Sequence, residues 1–118
     1  PLPFGLALNI AINAAPGDLA DCDALLAGAA PADPAVAARA ATIARLAGTG
    51  RCFALAERDP LLARLYRAKL AAPDDLVAAQ AFAVRCSARV ALAGRVMIEQ
   101  SDLVVGIWDG VSRAYVGG

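Results

Sequence analysis

Glu99-Gln100-Ser101-Asp102-Leu103-Val104-Val105-Gly106-Ile107-Trp108-Asp109-Gly110 decides the fold expected of this chain. Residues 103–108 form a continuous apolar run with two valines and an isoleucine. Such runs suit a central parallel strand covered on both faces. Glu99-Gln100 reads as the end of a helix before it, and Asp109-Gly110 as a polar-glycine loop opening after it. In open α/β sheets ligands bind beyond the carboxyl ends of the strands. The stretch therefore predicts a binding region that continues to Val116-Gly117-Gly118.

The rest of the chain is read around that strand. Phe4, Leu6, Leu8, Ile10 and Ile12 alternate with Gly5, Ala7, Asn9, Ala11 and Asn13. A period of two predicts a strand, although leucine and alanine also tolerate helix. Pro16-Gly17-Asp18 then breaks the chain, and Asp18 caps a short helix running through Leu26. Residues 28–34 are rich in Ala and Pro and form a connector. Asp33-Pro34 starts another helix, with Asp at the cap and Pro in the first turn. Val36, Ile43 and Leu46 share its apolar stripe, and Gly48-Thr49-Gly50 ends it. Cys52-Phe53-Ala54-Leu55-Ala56 reads as a short buried strand.

Asp59-Pro60 opens a further helix, with Leu61, Leu62, Leu65 and Leu70 inward and Arg64, Arg67 and Lys69 outward. Pro73-Asp74-Asp75 caps the longest helical run, from about Leu76 to Gln100. Its inward positions are Val77, Phe82, Val90, Met97 and Ile98, and Gly94 permits close approach of a neighbour. Strands alternating with helices predict an α/β protein: one Rossmann-like domain over residues 1–118, a three-layer sandwich with a mostly parallel sheet. Three strands make a thin sheet. Further strands are therefore expected outside this chain, or a second subunit over the open edges, which predicts a homo-oligomer.

Composition narrows the function classes. Hydrophobic residues make up 59% of the chain, but alanine supplies much of that, so the core is less bulky than the figure suggests. Eleven basic and eleven acidic side chains balance, and Lys69 is the only lysine. Neither nucleic acid nor an anionic membrane is an expected partner, because both need clustered positive charge. No run reaches roughly 18 uninterrupted apolar residues, so no membrane span is expected. Histidine is absent, which removes the usual neutral-pH base and the commonest zinc ligand. Cys22, Cys52 and Cys86 are odd in number and widely spaced, so they predict buried, reduced thiols in a cytoplasmic protein. No metal and no cofactor is expected.

Each candidate site residue has two readings. Asp109 either accepts hydrogen bonds from a ribose or a proton at a cleft mouth, or belongs to an ordinary Asp-Gly turn beside a core Trp108. Gly117 and Gly118 either let backbone amides approach a phosphate or form a frayed end. Arg113, between them, either pairs with that phosphate or is solvated. Gly48-Thr49-Gly50 follows a helix and precedes a strand, the reverse of a phosphate loop, and so terminates the helix. No G-x-x-x-x-G-K-[ST] loop is present. Asp74-Asp75 and Glu57-Arg58-Asp59 sit at helix starts, where the dipole favours negative charge.

Residues 88–118 also carry a family resemblance. Ala93-Gly94-Arg95, Glu99-Gln100-Ser101-Asp102, the run into Trp108-Asp109-Gly110 and the later Gly117-Gly118 resemble the SLOG superfamily. These are Rossmann-like domains related to the lysine-decarboxylase-like LOG proteins and to the DprA/Smf proteins. Pro1-Leu2-Pro3-Phe4 is similar to a Leu-Pro-Phe that ends an earlier strand in such proteins, and residues 51–56 to the next strand. The resemblance implies a pocket for a nucleotide or other phosphorylated small molecule, with Gly117 and Gly118 at phosphate and Asp109 and Gly110 shaping the rim. It also implies, as an alternative, a phosphoribohydrolase that cleaves the N-glycosidic bond of a nucleoside monophosphate. Enzymatic members carry a threonine and a glutamate after their glycines, positions that residues 1–118 do not include. A third expectation is a self-associating structural α/β domain without a ligand.

Overall fold

The computed structural model describes residues 2–50 and 59–111. Its element order is α1 (Phe4–Asn13), α2 (Leu19–Leu26), α3 (Pro34–Thr49), α4 (Pro60–Ala71) and α5 (Leu76–Glu99). Among the described residues there is no strand, so the expected α/β Rossmann-like sandwich is replaced by an all-helical packing.

Four of the five helices start where local chemistry directs them. Asp18, Asp33, Asp59 and Asp75 each occupy the cap position and accept a hydrogen bond from an amide of the first turn. The distances are 2.8 Å from Asp21 N, 2.9 Å from Ala35 N, 3.0 Å from Leu62 N and 2.9 Å from Val77 N. Pro34 and Pro60 follow two of these caps, where the missing N–H would have had no helical partner anyway. The end of α2 is equally local. The Gly28 amide donates to the Leu25 carbonyl and the Ala29 amide to Ala24, with Gly28 at φ 78°. That left-handed turn favours glycine.

The first correction concerns α1. The strand expected over residues 4–12 is a helix, and so is the strand ending at Phe4 that the family resemblance implies. Ala7, Leu8, Ile10 and Ala11 are buried, while Asn9 is exposed. The positions between the large side chains hold mostly Gly and Ala rather than charge. A helix can therefore bury two sides, and the alternation no longer selects a period of two. Leu8 joins Cys22, Leu62, Ala63, Tyr66 and Phe82 in one core cluster. Ile10, Ala11 and Ala14 join Leu25, Val36 and Ala40 in the other. Both α1 and α2 contribute to the two clusters, α3 to the second, and α4 and α5 to the first.

The second correction concerns the decisive stretch itself. Residues 102–111 are in neither helix nor strand, and residues 100–111 are exposed throughout, with Leu103 81% and Ile107 97% accessible. A buried parallel strand needs neighbouring strands to take its N–H and C=O groups. Every other described segment is helical or a connector, so no ladder is offered. The strand expected over residues 52–56 lies outside the described residues.

Facing within the helices also differs in part. Phe82 is the only buried residue of α5, whereas Val77, Val90, Met97 and Ile98 are exposed. In α4 the buried positions are Leu62, Ala63 and Tyr66, and Leu61 faces out. Leu46 of α3 is likewise exposed. Much of the second half of α5 is exposed.

Candidate functional site

Among the described residues two regions hold groups with chemistry. One is a groove of about 700 Å³ bounded by α1, α3 and α5, with the start of α4 at one end. Leu8 and Ile12, Ile43 and Leu46, and Val90 and Leu92 make it apolar, while Asn9, Asn13, Asp59 and Arg89 supply its polar atoms. The other is the exposed arm at residues 100–111.

Asp59 is the focus of the groove's electrostatics. The cap position of α4 buries it to 4% exposure. Arg89 Nε donates to Oδ2 at 2.7 Å, and Arg85 donates through Nε at 3.2 Å and a terminal nitrogen at 3.1 Å. Burial by itself would raise this carboxyl. The bonds from Arg85, the Leu62 amide and Arg89 outweigh it and hold the group down at about 2. Arg85 and Arg89 are spaced i, i+4 on α5, so one face of that helix presents both guanidiniums to one carboxylate. In the sequence Asp59 marks only a helix start. The i, i+4 arginines stand out there, but their common partner lies 26 and 30 residues away.

Other polar groups serve the packing. Tyr66 donates its hydroxyl to the Ala11 carbonyl at 3.3 Å, and burial pushes its pKa up to about 12. Its ring lies 4.9 Å from that of Phe82, over which Lys69 Nζ also sits at 4.9 Å. Buried Asp21 accepts from the amides of Ala32 and Asp33 at 2.7 and 3.2 Å, which anchors the α2–α3 connector. Cys22 is buried, and desolvation raises its thiol to about 11, so it stays protonated at neutral pH. Cys22 and Cys86 are free thiols. Among the described residues no three His, Cys, Asp or Glu side chains gather as metal ligands.

The residues expected to bind a nucleotide are only partly in view. Asp109 and Gly110 lie on the arm and are exposed, away from the groove's lining. Asp109 Oδ1 accepts from Val111 N at 2.8 Å, and Gly110 has φ 86°, which makes a tight turn. Arg113, Gly117 and Gly118 lie outside the described residues. Among the described residues there is no sheet to build the expected cleft mouth at Asp109.

Among the described residues one helix, α5, is long and apolar enough to cross a membrane by length and composition. Arg85 and Arg89 fall in its middle and are engaged by Asp59, and Phe82 is buried against α4. Such contacts belong to a helix packed on protein, since an arginine at a bilayer centre costs roughly 3 kcal/mol or more. No protein-family model, curated protein or solved structure matches this chain.

Proposed function

We propose that this chain is a self-associating helical domain whose working surface is the second half of α5 with the arm that follows it. One observation carries this reading. Val90, Met97, Ile98, Leu103, Val105, Ile107 and Val111 are all exposed large apolar side chains within residues 90–111. Covering each such side chain gains roughly 1.5–3 kcal/mol. Contiguous apolar surface beyond a few hundred Å² marks interaction sites on proteins in water. The balanced charge supports the same reading, because two copies meet without net repulsion. The free thiols Cys22 and Cys86 support a cytoplasmic setting.

Light scattering on a size-exclusion column, over a range of loading concentrations, tests this. A mass of two chains or more is expected for the parent, and a single-chain mass for Leu103→Asp with Ile107→Asp. A parent that stays monomeric at the highest loading refutes it.

A second reading keeps a nucleotide or other phosphorylated small molecule at Asp109, Gly110, Arg113, Gly117 and Gly118. The SLOG-like string supports it, and one local observation favours it: the turn at Gly110 takes a left-handed φ at the place where the resemblance puts its Trp-Asp-Gly step. Calorimetry with AMP and ADP-ribose is the test. Saturable heat lost on Gly117→Val and Gly118→Val supports it, and no heat sinks it. Base release from nucleoside monophosphates, assayed on the same sample, decides the phosphoribohydrolase alternative.

A further inference from the structure

Leu103-Val104-Val105-Gly106-Ile107 combines exposed apolar side chains with a main chain that is not used. Its large side chains are 45–97% accessible. Among the described residues no main-chain hydrogen bond engages residues 102–107. A row of unpaired N–H and C=O groups on an apolar segment is a template for pairing with another segment. Val104, Val105 and Ile107 are β-branched, the kind of side chain that fits a pleated ladder, and no proline interrupts the run. We propose that two copies associate by pairing this run with itself, antiparallel about Val105, so that each arm supplies the other's ladder. This rests on the self-association reading and names the segment and the mode of contact.

Charge placement selects both the partner and the direction. Asp102 and Asp109 bracket the run. Parallel pairing in register sets each of them against its own counterpart, and like charges directly opposite destabilise a strand pair. Antiparallel pairing about Val105 instead sets Asp102 opposite Trp108 and Asp109 opposite Ser101. A slip of one residue brings Asp102 opposite Asp109 and parts Leu103 from Ile107. The centred register places Leu103 opposite Ile107 and Val105 opposite itself. Side chains alternate across a strand, so Leu103, Val105 and Ile107 of both copies gather on one face. The contact is self-complementary, as an interface about a two-fold axis requires. A two-stranded ribbon is marginal in water without a layer to pack on. Val90 and Met97 are exposed about two turns apart on one face of α5 and supply apolar surface for that layer.

A paired set of variants tests the mode of contact. Val104→Pro with Val105→Pro removes two adjacent N–H groups and keeps apolar rings. Successive amides point to opposite edges of a strand, so one of the two always faces the partner. Val104→Ala with Val105→Ala keeps both N–H groups and sheds side-chain surface. Both positions lie outside the core clusters, so both variants are expected to keep parent helicity by circular dichroism. By light scattering at the highest loading, the parent and the alanine variant are expected at a two-chain mass and the proline variant at a single-chain mass. In the parent, the amides of residues 103–107 are expected to exchange with deuterium more slowly at loadings where it is dimeric than where it is monomeric, read by peptide mass spectrometry. A proline variant that dimerises like the parent, or arm amides that exchange as fast in the dimer as in the monomer, overturns the pairing and leaves self-association through side chains standing. Should both variants dissociate, the parent's exchange alone decides. A parent that stays monomeric at the highest loading removes both proposals.

Discussion

Replacing Asp59 with asparagine isolates the charge that ties α5 to the start of α4. Asparagine retains an oxygen for the Leu62 amide, so the helix cap survives while the carboxylate facing Arg85 and Arg89 is lost. The Asp59 carboxyl is held at about 2 against an ordinary value of 3.8. That difference corresponds to about 2–3 kcal/mol at neutral pH if fully expressed. Arg85 and Arg89 are 36% and 33% exposed, so water screens part of it. The expected loss is therefore about 1–2 kcal/mol. Because the folded-state pKa is depressed, the contribution is present above the unfolded value of 3.8 and disappears as pH falls through about 2. Urea unfolding followed by circular dichroism, at a series of pH values from neutral to about 2, measures it. The curves of parent and Asp59→Asn should lie apart at neutral pH and converge in acid. Other carboxylates titrating in that window, including Asp23 with its lowered pKa, occur in both proteins and cancel in the difference. A variant as stable as the parent at neutral pH, or a gap that persists unchanged in acid, refutes the account of this triad.

Three further outcomes are expected. Ala11→Leu should destabilise by about 1–3 kcal/mol through overpacking at a fully buried position, whereas Asn9→Ala should stay within about 0.5 kcal/mol; a strand would put both on one face, so equal effects in urea unfolding would contradict α1. Tyr66→Phe should cost about 1 kcal/mol by leaving the Ala11 carbonyl without its donor, and an unchanged urea midpoint would show that bond to be inert. Iodoacetamide at mildly alkaline pH should label Cys22 only as urea approaches the unfolding transition, since the thiol is buried and pushed up to about 11; rapid labelling without urea, read by peptide mass spectrometry, would contradict its burial.

The parts of this protein legible in its sequence are those decided within a few residues. Asp18, Asp33-Pro34, Asp59-Pro60 and Asp75 mark helix starts because a carboxylate reaches amides two or three positions ahead. The stop near Gly48-Thr49-Gly50 is equally local. Residues 4–12 and 103–108 are different in kind. Their apolar patterns admit strand or another conformation, and only a neighbour supplying ladder hydrogen bonds settles the choice. Among the described residues no such neighbour exists, so α1 satisfies its backbone internally as a helix and the run at 103–108 stays exposed. The same distinction holds for the sites. Asp109-Gly110 was legible as a turn, because an Asp side chain caps its own loop. The joining of Asp59 to Arg85 and Arg89, and the groove that α1, α3 and α5 enclose, depend on residues far apart in the chain. The sequence alone determined where helices begin and that the chain carries balanced charge and buried thiol candidates. Tertiary packing decided which apolar faces are covered, because burial is a property of neighbours that no local pattern contains.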